Sequence, residues 1–138
     1  MVNESIIDMD IKSLKIKVCG MTLQQNVDGL EALDVDYIGN IFYAKSSRSI
    51  HDVVDSNAIK VGVFVKESID VIASQVKEHG LSVVQLHGGE LNEFCALVKE
   101  LGVEVWKVFS VDDDFNFKEL KNYPNADLFL FDTKTPKH

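Results

Sequence analysis

The sequence has few cysteines, and this shortage excludes two kinds of small protein. Cys19 and Cys95 are the two thiols among 138 residues, too few for a disulfide framework. Neither has a second thiol or a histidine beside it at the spacing of zinc ligands. Linkers and low-complexity tracts are also missing. We therefore expect a single domain over 1–138 with no metal and no cofactor.

The sequence also lacks long hydrophobic runs and an excess of basic charge. No apolar stretch approaches the roughly 20 residues that cross a bilayer, and the first residues show no apolar region of a signal peptide. A cytoplasmic protein without a membrane partner is expected. Fourteen Lys and Arg against 22 Asp and Glu give a net charge of −8. This balance argues against nucleic acid, while a small anionic substrate would need local cations or backbone amides.

What the sequence does contain is a repeat of short apolar runs that begin 21 to 24 residues apart. The six runs are KIKVCG (15–20), DYIGNIF (36–42), KVGVFV (60–65), SVVQLHG (82–88), VEVWKVF (103–109) and DLFLFDT (127–133). Their near-continuous apolar character is typical of parallel strands covered on both faces. A repeat of this length indicates one strand and one helix per unit. The sequence therefore predicts an α/β fold with a parallel sheet, either open and doubly wound or a closed (β/α)8 barrel.

Helical spacing of apolar residues appears between the runs. It predicts helices over 23–33, 69–79 and 91–98, with Gly80 and Gly102 as the residues that end the second and third. Weaker patterns over 49–58 and 112–122 predict short helices. Pro124 and Asn125 predict a turn before the sixth strand.

Two of the predicted strands end in residues that could transfer protons. Cys19 follows Val18 at the end of the first strand and is either a small buried hydrophobe or a thiolate base. Asp132 ends the sixth run and is either a cap or turn residue or a proton donor whose pKa partial burial would raise. At adjacent strand ends, the two would form a base and an acid facing one substrate. Cys95, on the apolar face of a helix, is expected in the core.

Three further polar residues follow strands. Arg48 is either a solvated loop cation or the bidentate partner of a substrate carboxylate. Gln85 and His87 alternate along the fourth strand and so point to the same side. A lone histidine is most often structural, but two polar groups on one face favour a binding role. His51, His79 and His138 have no such neighbours.

The strand motifs together resemble a known family. They are KVCGMT (17–22), IFYAKSSR (41–48), VGVFV (61–65), QLHG (85–88), VWKVF (105–109) and FDTK (131–134). In order and spacing they are similar to the successive strand signatures of N-(5′-phosphoribosyl)anthranilate isomerases, and they extend over the chain from Lys15 onward.

The resemblance implies a (β/α)8 TIM-barrel type of fold and an Amadori rearrangement in tryptophan biosynthesis. It implies that Cys19 is the general base that removes a proton from C2′ of the sugar. Asp132 would be the general acid that protonates the furanose oxygen, and Arg48 would hold the anthranilate carboxylate. Gln85 and His87 would line the pocket for a small anionic phosphosugar. No cofactor or metal is implied.

The sequence departs from the family pattern in two ways. Asn40 stands where the family usually has an aromatic or apolar residue. The chain also has six units where a barrel has eight and roughly 200 residues or more, and no glycine-rich phosphate loop occurs in it. A barrel truncated to about six units is therefore expected, with little turnover by this chain alone.

Two alternatives remain at this stage. An inactive barrel fragment with open sheet edges could associate with itself or with a partner. A different phosphosugar-binding β/α protein is disfavoured by the pairing of Cys19 with Asp132.

Overall fold

A computed structural model describes residues 13–49 and 55–133. It contains one six-stranded sheet in which every neighbouring pair is parallel and the strands follow in chain order. The strands are β1 Lys17–Cys19, β2 Tyr37–Ile41, β3 Ile59–Phe64, β4 Val83–Leu86, β5 Glu104–Val111 and β6 Leu128–Thr133. All six predicted strands, and the α/β class, are confirmed.

The helices lie between the strands, close to the predicted positions. They are α1 Gln24–Glu31, α2 Ile69–His79, α3 Asn92–Lys99 and a 3-10 helix at Phe117–Asn122. Helix α2 begins where the Ser68 side chain accepts a hydrogen bond from the Val71 N–H (3.4 Å) and ends at Gly80, which has the left-handed φ of 63°. Most of the short helix predicted over 49–58, together with His51, Lys134 and His138, lies outside the described residues.

Two leucines assigned to the helix faces are wrong. Leu33 and Leu91 lie outside α1 and α3 and are 71% and 64% exposed. Apolar periodicity alone could not locate these helix ends, because neither residue packs against the sheet.

The sheet is strongly curved, as contacts across one of its faces show. The rings of Tyr37 on β2 and Trp106 on β5 lie 4.9 Å apart between centroids. Three strand spacings in a flat sheet would separate them by about 14 Å. Val61, Val83 and Leu130 complete this cluster. The concave face is therefore lined by side chains from β2 to β6, as in the wall of a barrel.

The opposite, convex face of the sheet holds the larger apolar core. Phe64, Val84, Leu86 and Val105 pack there against Ile72 of α2 and against Cys95 and Val98 of α3. Cys95 is fully buried, so its predicted place in the core is confirmed. None of the helices in the described ranges is long and apolar enough to cross a membrane.

Asn40 is an exception among the buried residues. It lies in β2 next to Gly62 of β3 and has no exposed surface. Neither of its side-chain polar atoms has a hydrogen-bond partner among the described residues. The sequence departure at this position thus places an amide where an apolar side chain would avoid the cost of desolvation.

Candidate active site

The chemically capable side chains collect at the carboxyl ends of the strands. Cys19 is the last residue of β1, His87 follows β4 directly and Asp132 is the fifth residue of β6. Because all six strands are parallel, these ends lie at one edge of the curved sheet, where β/α barrels build their active sites.

A row of hydrogen bonds crosses the concave face at this edge. The Lys17 Nζ donates to Gln85 Oε1 at 2.7 Å, and Gln85 Nε2 lies 3.2 Å from His87 Nδ1. His87 Nε2 in turn lies 3.3 Å from Asp132 Oδ2. These four side chains, which we call the Lys17–Asp132 row, connect β1, β4 and β6. The prediction that Gln85 and His87 share one face is confirmed.

Lys17 is a residue that the sequence analysis did not single out. It projects from β1 on the same side as Cys19 and touches the Cys19 thiol. Burial lowers the pKa of Lys17, and the neighbouring Cys19 opposes this effect. The alternation of Lys17 and Cys19 along one strand was a signal for it, but a lysine in an apolar run more often reaches out to solvent.

Gly39 provides the space in which these two side chains meet. It pairs with Cys19 across β1 and β2. A Cβ atom at this position would lie 2.7 Å from Cys19 Sγ and 3.0 Å from both Cε and Nζ of Lys17. Since real Cβ contacts are not this short, a side chain here would displace the thiol or the ammonium group.

The structure corrects two expectations about the base and acid pair. Cys19 and Asp132 lie on the two outermost strands of the described sheet, not on adjacent ones. Asp132 belongs to β6 and is not a cap, yet its side chain is 56% exposed, so the expected partial burial is wrong. Its neighbours explain this exposure, because β6 has a paired strand on one side alone in the described residues.

Arg48 lies beside the Cys19 end of the site. Its guanidinium packs on Gly20, which has a φ of 82° and whose added Cβ would lie 2.9 Å from Arg48 Cδ and Nη1. Arg48 Nη1 also donates a long hydrogen bond to the Cys19 carbonyl (3.5 Å). The side chain is exposed and next to the thiol, as a ligand for a substrate carboxylate should be.

The turn that carries His87 is held by a buried ion pair. Lys107 Nζ donates to the Gly88 carbonyl at 2.8 Å and lies 3.6 Å from Glu90 Oε2. The Glu90 carboxylate accepts from the N–H groups of Gly88 and Lys66, both at 2.9 Å. Burial lowers the pKa of Lys107, and the charge of Glu90 opposes the shift. The sequence analysis missed both residues, because neither an internal lysine nor a loop glutamate signals a partner.

Other parts of the described structure were considered as sites. A groove of about 660 Å³ lies between the turns after β3 and β4 and helix α3. It contains none of the five predicted site residues. No three His, Cys, Asp or Glu side chains among residues 13–49 and 55–133 are grouped to hold a metal ion.

Comparison with known proteins identifies the family. Residues 16–138 match the family model described as N-(5'phosphoribosyl)anthranilate (PRA) isomerase. The N-(5'-phosphoribosyl)anthranilate isomerase of Phocaeicola vulgatus is 37% identical over 122 residues, which are 86% of this chain and 60% of that protein.

Solved structures agree. The phosphoribosyl anthranilate isomerase of Thermus thermophilus superposes with a TM-score of 0.78 at 27% identity, over 89% of this chain and 64% of that one. A phosphoribosyl anthranilate isomerase in complex with reduced 1-(o-carboxyphenylamino)-1-deoxyribulose 5-phosphate gives a TM-score of 0.74 at 30% identity, over 88% and 66%. This chain thus spans about 60% of the length of its curated relatives. The strands, their order and the match over residues 16–138 show that the chain belongs to the N-(5′-phosphoribosyl)anthranilate isomerase family.

Proposed function

We propose that this chain carries the proton-transfer machinery of a phosphoribosylanthranilate isomerase. The reaction is the Amadori rearrangement of N-(5-phosphoribosyl)anthranilate to 1-(2-carboxyphenylamino)-1-deoxyribulose 5-phosphate. One observation carries the proposal: Cys19 and Asp132 stand at the same edge of the curved sheet, and the Lys17–Asp132 row connects their surroundings.

The chemistry needs one acid and one base. Asp132 donates a proton to the furanose oxygen as the C1′–oxygen bond breaks and the amine nitrogen forms a Schiff base. Cys19, as thiolate, removes the C2′ proton to give an enolamine, which becomes the ketone product. The ammonium of Lys17 favours the negative form of the neighbouring thiol. No atom is gained or lost, so no oxidant or reductant is consumed.

Substrate binding in this proposal depends on local cations, because the chain carries a net charge of −8. Arg48 holds the anthranilate carboxylate, since its guanidinium is exposed and lies next to Cys19. Gln85 and His87 line the pocket between base and acid. We propose the cytoplasm as the place of action, in keeping with a phosphorylated small-molecule substrate.

Turnover by the full chain tests the proposal. The fluorescence of phosphoribosylanthranilate is followed with the unaltered chain and with C19A and D132N, at high protein concentration because low turnover is expected. Each substitution should reduce turnover at least 100-fold, the usual contribution of a general acid or base (about 10²–10⁴). C95A is the matched control: it removes the other thiol, which is buried among apolar residues, and turnover per folded molecule should persist.

The unaltered chain may not be faster than C19A only if the proposal is wrong. Equal rates for these two proteins, both folded by circular dichroism, would contradict the role of Cys19. Loss of turnover in C95A with full activity in C19A would assign the chemistry to the wrong thiol.

A second candidate function is self-association, because the sheet has exposed apolar edges. Within the described residues β1 and β6 each pair on one side alone. Next to β6, Phe131 and Phe117 are 50% and 62% exposed, and their rings lie 5.8 Å apart. Unpaired strands of this kind recruit other strands. Sedimentation velocity over a wide concentration range should show a dimer that F131K weakens, and a monomer at all concentrations would contradict this function.

A further inference from the structure

We propose that Lys17 is a positioning residue that fixes the tautomer of His87 through Gln85. The imidazole then carries its proton on Nε2 and presents it to Asp132. The catalytic meaning of this inference rests on the proposed function, whereas the tautomer itself depends on the Lys17–Asp132 row alone.

The first step is the orientation of the Gln85 amide. An ammonium group donates hydrogen bonds and accepts none, so the atom that faces Lys17 Nζ at 2.7 Å must be the oxygen. The opposite orientation would press an NH2 group against a cation. Gln85 is 5% exposed, so water cannot readily compensate for such a flip.

The second step is the protonation of the His87 ring. With its oxygen on Lys17, the Gln85 amide presents its NH2 group to His87 Nδ1 at 3.2 Å. An NH2 group donates, so Nδ1 must offer a lone pair. In a neutral imidazole the single proton therefore lies on Nε2.

The third step reaches Asp132. The Nε2–H group of His87 points to Asp132 Oδ2 at 3.3 Å and donates to it. All three hydrogen bonds then run in the same direction, from β1 through β4 to β6. A donor on β1 thus decides which atom of the imidazole faces the proposed acid, although β1 and β6 do not pair.

This direction suits the reaction. After Asp132 has given up its proton, its carboxylate accepts the Nε2–H bond, which favours the charged form. A His87 ring with its proton on Nδ1 would instead present a lone pair to that carboxylate. The same lysine would therefore serve the base by its charge and the acid by orienting two neutral side chains.

Nitrogen NMR of the full chain, labelled with ¹⁵N-histidine, tests the inference. Spectra are recorded near pH 8, about 1.5 units above the usual histidine pKa, where the neutral ring dominates. The chain has four histidines, and H87Q identifies the signals of His87. The unaltered chain should show a protonated Nε2 and an unprotonated Nδ1.

Three variants give separate outcomes. K17M frees the Gln85 amide to turn, so the Nε2–H form should fall from nearly all molecules to a mixture. Q85E places an acceptor at Nδ1, so that nitrogen should become protonated. K15M removes a lysine that precedes the same strand and contacts Asp36 instead, and the His87 signals should stay unchanged.

Circular dichroism shows which variants are folded. A protonated Nδ1 with a bare Nε2 in the unaltered chain would overturn the inference, as would unchanged His87 signals in folded K17M. If K17M does not fold, Q85E decides, and an unprotonated Nδ1 there would overturn it. The predicted tautomer in a chain without turnover would leave the inference intact and contradict the proposed function alone.

Discussion

At the scale of single residues, the site depends on side chains that are missing as much as on those present. Gly39 leaves room for the Cys19 thiol and the Lys17 ammonium, which crowd around one point on β2. A lysine next to a thiol and an anionic substrate next to a buried cation are both sensitive to small shifts, because Coulomb interactions change steeply at such short range.

G39A should therefore disturb the site and the fold together. The new Cβ would lie 2.7 Å from Cys19 Sγ, and such overpacking costs about 1–3 kcal/mol. The measurement is urea unfolding, combined with the rate at which iodoacetamide alkylates Cys19. G29A is the control, since nothing lies within 4 Å of its added Cβ in helix α1; it should stabilise by roughly 0.5–1 kcal/mol. Equal stability of the two variants would contradict the crowding at Gly39.

The sequence could predict Cys19, Arg48, Gln85, His87 and Asp132 as candidates, since each follows or ends a strand. It could not predict Lys17, because the contact with Gln85 joins residues three strands apart, and only the curvature of the sheet brings them together. The same reason explains the wrong placement of Cys19 beside Asp132. Strand order fixes which ends are neighbours, and chain order shows it only after the sheet is known.

At the scale of elements, two aspartates repeat one structural role at the amino ends of strands. Asp36 precedes β2 and accepts from the Ile16 N–H at 2.8 Å; Asp127 precedes β6 and accepts from the Val105 N–H at 2.8 Å. Each also contacts a lysine, Lys15 and Lys99 respectively. These carboxylates tie a strand to its predecessor at the edge opposite to the site.

The stability of the chain should fall in acid in part through Asp127. Burial tends to raise the pKa of Asp127, but hydrogen bonds from Lys99 and the Val105 N–H outweigh it and lower the pKa. A lowered pKa contributes stability above the unfolded value of about 3.9, and this contribution is lost as the pH falls through the folded value.

D127N should thus cost about 1 kcal/mol at pH 7, a value reduced for partial exposure, and the difference from the unaltered chain should vanish in acid. Urea unfolding between about pH 2 and pH 7 measures it. D113N, in the exposed loop after β5, is the control and should leave the pH profile unchanged. A D127N profile parallel to that of the unaltered chain would count against this role.

The turn after β4 is a second element whose shape depends on charge. K107M should leave the Glu90 carboxylate buried without its cation and cost about 3–5 kcal/mol in urea unfolding. K77M, on the exposed side of α2, should change stability by less than about 0.5 kcal/mol. Similar losses in both variants would show that the ion pair contributes little.

At the scale of the whole molecule, curvature is the property that creates the site. A parallel sheet with six strands was predictable from the apolar runs, whereas its curvature was not, because periodicity carries no information on how far apart strands bend toward each other. The Tyr37–Trp106 contact spans three strand spacings and shows that side chains fill the concave side.

W106A should remove this filling and cost about 3–5 kcal/mol, the usual range for a buried large aromatic residue. Thermal unfolding followed by circular dichroism gives the loss. F117A truncates an aromatic residue that is 62% exposed and should change stability far less. If both variants unfold at the same temperature, the concave cluster does not hold the sheet in its curved form.

Trp106 is the one tryptophan of the chain, and it lies 3% exposed on the concave side. Its indole N–H donates to Glu104 at 2.9 Å, and the Tyr37 ring stands against it. The molecule therefore contains a built-in optical reporter. Ultraviolet emission from one ring reads the interior of the curved wall, without any label and without a contribution from a second indole elsewhere.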